Sequence, residues 1–490
     1  LCDFKFQAIS YNNLIKLSIL EKNQQKNYNP YTMSKFYITT SIAYVNGAPH
    51  IGFALESVQA DAIARYHRQQ DDQVFFLTGT DEHGAKISRT AEALKITPEE
   101  LTDTNAAKFK ALKELLNLSW DDFIRTSDKE KHWPNVVNLW HKLEARGDIY
   151  KKVYKGLYCV GHEAFVTEKD LVDGQCRDHQ SKPEIIEEEN YFFRLSKYAD
   201  QIKSLIESEE LKIYPQSRAN EIISFINQGI EDISFSRPRK DLSWGIPVPG
   251  DETQTIYVWC DALSNYLSQP DQWPAELQII GKDILRFHAL FWPAMLLSAK
   301  LPLPKALFVH GHITVDNQKM SKSLGNVIDP VELVNRYGVD AVRYYLLREI
   351  PPFNDGDFSY KKFEERYNGD LANGLGNFVS RVFALQKRLE VSAADKSSDD
   401  VGDFIKRVRE QMGSRMEQYR LNEALETLWE LISRGDKYIN EKKPWETGDK
   451  NAVANARELV DQVAELLKPF LPETAEKIIK GEPGTLFPRL

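Results

Sequence analysis

An α/β chain built on a doubly wound parallel sheet, interrupted by a small β-rich insert and closed by a C-terminal α-helical bundle, is the fold class that three observations predict. Short β-branched and aromatic runs alternate with segments of helical apolar spacing from Lys35 onward. Turn-rich sequence suspends that alternation between residues 150 and 235. After Asp329-Pro330, a capping residue followed by a proline suited to a first helical position, the chain reads as helix almost to its end.

Each element follows in order. KFYITTSI opens the sheet, and GAPHIG turns the chain into a helix over 51–69, where Ile51, Leu55, Val58, Ala62 and Ile63 share a face. QVFFLTGT (73–80) is a buried strand, 85–116 reads as helical, and DFIRT (122–126) returns as a strand. Beyond the insert the sheet resumes with IYVWCDA (256–262) and LQIIGKD (277–283), a helix from Ile284 to Ala299, and ALFVHGHITV (306–315). Leu371, Leu375, Phe378, Val382 and Leu385 form one apolar stripe of the bundle; Leu421, Leu425, Leu428 and Ile432 form a second, and Leu459, Val463, Leu466 and Phe470 a third. The expected plan is a sheet domain in two halves, 33–149 and 236–315, around an insert at 150–235, then a loop and contact region at 316–362 and a bundle at 363–490. Residues 1–32, rich in Asn, Gln and Lys ahead of Met33, are expected to be a disordered or non-native extension.

The chain has 490 residues, enough for about three domains. With 63 Lys+Arg against 72 Asp+Glu the net charge is -9, so a polyanionic partner needs a local basic surface. Nothing approaches the run of about 18 apolar residues that a membrane helix requires, and no membrane partner is expected. Cys2, Cys159, Cys176 and Cys260 are too few and too scattered for a disulfide framework, which predicts a reducing, cytoplasmic setting.

Two motifs carry chemistry. His50 and Gly52 stand at the mouth of the first helix, where unpaired N–H groups and the dipole favour an anion; the histidine can donate to phosphoryl oxygens and the glycine lets a ring or phosphate approach. An isolated HIG triplet is more often a plain turn. The second motif, QKMSKSLGN, sets Lys319 and Lys322 in a Ser- and Gly-bearing loop directly after a strand, able to close over a triphosphate and neutralise the charge of a leaving pyrophosphate. Within the insert, Cys159 and His162 (CVGH) and Cys176 and His179 (CRDH) match a four-ligand zinc knuckle in type and spacing, so a structural zinc ion is expected.

HIGF and KMSKS together resemble the signatures of class I aminoacyl-tRNA synthetases. From Lys35 to the C-terminus, YVNGAPHIG, TGTDEHG, SRP, YVWCDA, GKDILRFHALFWPAM, VHGHITV, KMSKSLGN and DAVRYYLL fall in the order of the methionyl-tRNA synthetase family. The resemblance implies a Rossmann-like catalytic domain, ATP with Mg2+, L-methionine and tRNA(Met), including the initiator, as substrates, and a role in protein synthesis including initiation. It implies catalytic roles for His50, Lys319 and Lys322, and nucleotide contacts by Gly52, Phe53, Asp283, Met320, Ser321 and Ser323. Phe53 stands where the family has a second histidine, which forfeits a hydrogen bond worth about 1 kcal/mol. His162 is also a departure, since relatives with one knuckle more often use three cysteines and one histidine.

The same resemblance assigns Ile42 and Tyr44 to one wall of a methionine pocket and Trp259, Ala262, Leu263 and Tyr266 to the other, with His288 near the thioether, Asp81 on the ammonium and Arg237 near the carboxylate. Leu263 replaces a proline common in relatives and keeps the site apolar. Asn377, Arg381 and Trp445 match the residues that read the CAU anticodon, the first two one helical turn apart and the third expected on an exposed loop after Pro444. Dimeric relatives use a further C-terminal domain, so a monomer is expected. A catalytically silent tRNA-binding protein of the same fold is the rival reading, and methionine-dependent exchange of pyrophosphate into ATP separates the two.

Overall fold

The computed structural model describes residues 34–162, 164–166, 168–178, 180–320, 325–391, 399–481 and 483–490. Strands β1 (Lys35–Thr40), β2 (Ala43–Tyr44), β3 (Gln73–Asp81), β4 (Asp122–Arg125), β5 (Lys212–Tyr214), β6 (Leu277–Gly281) and β7 (Ala306–His310) form one sheet. Every pairing in it is parallel, in the order β5-β7-β6-β1-β3-β2, with β4 also beside β3. The chain steps outward from β1 in both directions, so the crevice above β1 and β6 is the switch point where ligands of such sheets bind.

Helix α1 runs Ile51–Gln69 as its apolar spacing predicts. The stretch 85–116, read as one helix, is two: α2 (Ala85–Leu94) ends on Lys95 in a left-handed conformation (φ 59°), and α3 (Pro98–Leu115) restarts behind a capping box between Thr97 and Glu100. IYVWCDA does not resume the main sheet: only Ile256 is strand, the last residue of Asp251–Ile256, which pairs antiparallel in a separate small sheet, and Val258–Leu263 is a short helix begun where that pairing ends. ALFVHGHITV breaks at Gly311, where a Cβ would come within 2.2 Å of the Asn354 backbone, and Ile313–Val315 joins a separate small sheet.

Residues 150–235 also divide differently from the sequence reading. The β-rich part is the long hairpin Ile149–Cys159 with Glu184–Phe193 and its short neighbours. The remainder holds helices Ala199–Glu207 and Gln216–Asn227, and β5 between them belongs to the main sheet. Three residues were too short a run to register as a buried strand.

All three predicted stripes are buried: Leu371 and Leu375 on the helical segment Tyr367–Gly376 and the rest of the first on Asn377–Leu389, the second on Leu421–Lys442, and the third on Lys450–Leu467 with Phe470 just beyond it. Their core is continuous with the apolar face of α1. Arg343 rivets the two: wholly buried, it pairs with Asp61 of α1 at 2.7 Å and donates to the carbonyls of Leu116 (3.1 Å), Pro469 (3.1 Å) and Phe470 (2.8 Å). Among the described residues no helix is long and apolar enough to cross a membrane.

Candidate active site

The two signature segments meet at the mouth of α1. The Ile51 amide donates to the Ile328 carbonyl at 3.1 Å, and the Met320 methyl lies 3.6 Å from where a Gly52 Cβ would stand. Lys319 is exposed, and the Asn326 side-chain amide donates to its carbonyl at 3.2 Å, fastening the neck of the loop. Lys322, Ser321 and Ser323 lie outside the described residues.

His50 is the cap of α1. Its Nδ1 accepts from the Gly52 amide at 3.1 Å, so a neutral ring carries its proton on Nε2, the donor a phosphoryl oxygen would need. The unpaired amides expected at this helix mouth are a point of correction. Ile51 N–H goes to Ile328, Gly52 N–H to His50 Nδ1, and Phe53 N–H to the His50 carbonyl at 3.0 Å. The helix dipole remains as a field, while direct contact falls to side chains.

Phe53 leans toward the interior, its ring edge-on to Phe109 at 4.9 Å. Asp283 is exposed just beyond β6, beside the close approach that Gly281 permits: a Cβ there would lie 2.7 Å from its Oδ1. Desolvation by the surrounding protein works upward on this carboxyl even though its side chain reaches solvent, and the 3.2 Å bond from His312 outweighs it and holds the group below the ordinary carboxylate range. Sequence reading missed a buried pair next door. His310, at the end of β7, meets Glu56 of α1 at 2.8 Å, and Glu56 also accepts from Ser41 at 2.7 Å. Burial depresses the His310 imidazole, the Glu56 bond raises it more, and the net shift is upward. The signal was HGH at a strand's carboxyl end.

The other assigned residues lie on several elements. Tyr44 and Asp81 are register partners on β2 and β3, and Ile42 packs against the small cluster of Tyr37, Leu77 and Ile124. Ala262 and Leu263 are buried on the short helix, while half-buried Trp259 stacks on Phe287 at 3.7 Å and 6°. The Tyr266 hydroxyl donates to His288 Nε2 at 2.8 Å, and His288 Nδ1 donates to the Ile284 carbonyl at 3.0 Å. Burial drives the His288 imidazole down to about 4, so it is neutral. Arg237 is buried between the Tyr158 and Tyr257 rings and donates to Ser234 and the Ser236 carbonyl. Glu82, also missed, is gripped by two Arg125 nitrogens, Nε and Nη2, at 2.8 Å and by Ser127, which anchors the strand end that carries Asp81.

In the insert the donor atoms of Cys159, His162 and Cys176 lie within 4.8 Å of one another, with both thiols buried. His162 turns Nδ1 to Cys176 (3.5 Å) and Nε2 to Asp178 (3.0 Å), the arrangement by which a carboxylate orients a metal-binding imidazole. These three residues fit a zinc ion; His179 lies outside the described residues.

On the bundle, Asn377 is exposed and Arg381 lies a turn further on, 5.6 Å from the Trp445 ring. Arg381 is braced by Asp436 (2.5 Å) and Asn440 (2.7 Å). Trp445 corrects the sequence reading. Lys443 takes a left-handed turn, Pro444 starts a new helical turn, Pro444–Thr447, and the indole is half-buried on it instead of on a loop.

The chain is similar to known proteins over most of its length. The family model "tRNA synthetases class I (M)" matches residues 36–182 and 166–383, and "Anticodon-binding domain of tRNA ligase" matches 403–487. The methionine–tRNA ligase of Clostridium acetobutylicum is 46% identical, covering 91% of this chain and 72% of the relative. That of Brucella suis is 44% identical over 91% of each. The Mycobacterium tuberculosis methionyl-tRNA synthetase bound by methionyl-adenylate superposes with a TM-score of 0.87 at 38% identity, covering 91% of this chain and 94% of that one.

Proposed function

From the premise that the chain belongs to the methionyl family of class I tRNA synthetases, we infer that it activates L-methionine with ATP and transfers the methionyl group to the 3′ end of tRNA(Met), initiator included. It is an AMP-forming aminoacyl-tRNA ligase. The methionine carboxylate attacks the α-phosphorus of ATP, pyrophosphate leaves, and a hydroxyl of the terminal adenosine then takes the aminoacyl group. No side chain acts as nucleophile; catalysis is positioning and charge stabilisation.

One observation carries the reading: Met320, in the lysine motif, and Ile328, just beyond it, both meet the Ile51 and Gly52 mouth of α1, which brings two distant motifs to one place. In this assignment the His50 Nε2–H, Lys319 and Lys322 meet the phosphates, Met320, Ser321 and Ser323 line the loop, Phe53 backs the nucleotide side, and Asp283 takes the ribose hydroxyls. Asp81 holds the ammonium and Arg237 lies toward the carboxylate. Ile42, Tyr44, Trp259, Ala262, Leu263, Tyr266 and His288 enclose the side chain, whose polarisable thioether suits aromatic walls. Mg2+ accompanies ATP and screens its phosphates when bound.

Zinc at Cys159, His162, Cys176 and His179 would stiffen the insert and take no part in the reaction. One zinc per chain by elemental analysis, lost in Cys159→Ser, supports that role, and metal-free protein with unchanged melting removes it. Asn377, Arg381 and Trp445 form the anticodon surface, and a tRNA substrate supports a cytoplasmic setting. The functional test is exchange of labelled pyrophosphate into ATP: exchange with methionine but not isoleucine or cysteine is expected, and none at saturating substrates overturns the reading.

A further inference from the structure

Asp261 belongs to none of the groups assigned above. It is 1% exposed, on the same short helix, Val258–Leu263, that carries Trp259, Ala262 and Leu263. Its two oxygens are bound to different elements: Oδ2 accepts from His83 Nδ1 at 2.6 Å and Oδ1 from His132 Nε2 at 2.7 Å. His83 lies just past Asp81 and the end of β3, and His132 immediately precedes helix α4 (Trp133–Ala145). Both rings are buried, at 2% and 0% exposure, and His83 meets Trp133 and Trp244 edge-on at 6.0 and 5.4 Å.

The bonds fix chemistry as well as place. Each histidine must turn an N–H toward the carboxylate, which selects its tautomer. Among the described residues His132 Nδ1 has no hydrogen-bond partner, so Nε2 is the ring's one engaged nitrogen. Burial pushes the Asp261 carboxyl up, and the two histidines outweigh it, holding the group ionised below the ordinary carboxylate range.

We propose that Asp261 is a positioning residue for the amino-acid pocket: through His83 and His132 it clamps helix Val258–Leu263 to the end of β3 and so sets the spacing between the Asp81 carboxylate and the wall formed by Trp259, Ala262 and Leu263. This rests on the reading that those residues hold the amino acid. A bound amino acid spans the two elements, with its ammonium at one and its side chain at the other. Slack in the clamp therefore weakens methionine binding. The nucleotide residues, held by α1, β6 and β7, stay in place. An amide is a poor substitute, since asparagine would turn an NH2 group toward a histidine N–H, and glutamate would force an extra methylene into filled space.

The test is pyrophosphate exchange by the full chain with methionine and ATP varied separately. Asp261→Asn is expected to raise the methionine KM about tenfold or more, with the ATP KM within about twofold and kcat within about threefold. His132→Gln, which keeps one N–H toward Oδ1, should stay within about threefold of the parent, while His132→Leu should raise the methionine KM as Asp261→Asn does. Methionine and ATP KM rising together, or kcat falling with the methionine KM unchanged, overturns the clamp. If Asp261→Asn does not fold, the His132 pair decides: equal methionine KM for the Gln and Leu variants refutes the proposal. Absence of methionine-dependent exchange in the parent is a different failure, that of the functional reading itself.

Discussion

The proposed nucleotide end of the crevice and its proposed amino-acid end are built on opposite plans. At the nucleotide end His50, Asp283 and Lys319 are exposed, and Lys319 leads into a loop held at its neck by Asn326. At the amino-acid end Asp81, Tyr266, His288, Ala262 and Leu263 are buried, and the Tyr266 hydroxyl and both His288 nitrogens are engaged in hydrogen bonds. The difference follows from what each end does. Charge that develops only as pyrophosphate leaves can be met by groups that arrive with the substrate, whereas discrimination among apolar side chains, each methylene worth about 1 to 3 kcal/mol, needs walls that are already in place.

The sharpest way to break that comparison is to remove the loop's charge. Lys322→Ala or Lys319→Ala is expected to lower the exchange rate about a hundredfold or more, roughly 2.7 kcal/mol of transition-state stabilisation, with the methionine KM unchanged. Loss of methionine affinity at an unchanged rate would mean that the loop shapes the pocket, and the two ends would not be separable. A second change probes both ends from a distance. Trp445→Ala removes a stacking surface worth about 1 to 3 kcal/mol per base, so tRNA charging should fall about tenfold while pyrophosphate exchange is preserved. Equal loss of both would show that the half-buried indole supports the fold instead.

Much of this was legible in the sequence because it is periodic or punctuated. The α1 helix, the bundle stripes and the Asp329-Pro330 start all follow from spacing and capping chemistry. What escaped depends on tertiary partners. β5 is three residues long and is a strand only because β7 lies beside it. The first amide of α1, that of Ile51, is satisfied by Ile328, hundreds of residues away in the chain, so no local pattern could announce it. Glu56, Glu82 and Asp261 read as ordinary acids until the histidines and the arginine that bind them are placed. His50, Gly52 and Met320, named from motifs, meet at the mouth of α1, while the distant partners around them were invisible.

A smaller effect is expected at Phe53, which lies between the two plans: on the nucleotide helix, yet packed inward. Its ring meets Phe109 edge-on beside a cavity of only about 10 Å³ lined in part by Phe76, Leu112 and Trp120. Phe53→His should leave exchange within roughly tenfold and lower stability by about 1 kcal/mol, since one apolar contact is exchanged for one polar group. A change of several orders of magnitude in exchange would make Phe53 a determinant of the reaction and move it wholly to the nucleotide end.

The smallest effect separates the two ends by pH. His288, at the amino-acid end, is driven by burial to about 4, and His310, at the nucleotide end, is raised above the ordinary value because its bond to Glu56 outweighs burial. Below about pH 6.5 an unfolded histidine takes a proton that folded His288 refuses until about 4. His288 therefore draws stability down as pH falls through that window and has no influence above it. His310 has the opposite sign: its contribution is fully present below the unfolded value and is lost as pH rises through the raised folded one. Methionine affinity, followed by the fluorescence of Trp259 beside His288, should accordingly be flat from pH 8 to pH 5.5, because the Tyr266 hydroxyl meets an unprotonated Nε2 throughout. A sigmoidal loss of affinity centred near pH 6.5 would show that His288 is solvated and titrates freely. The amino-acid end would then be no more preformed than the loop that faces it.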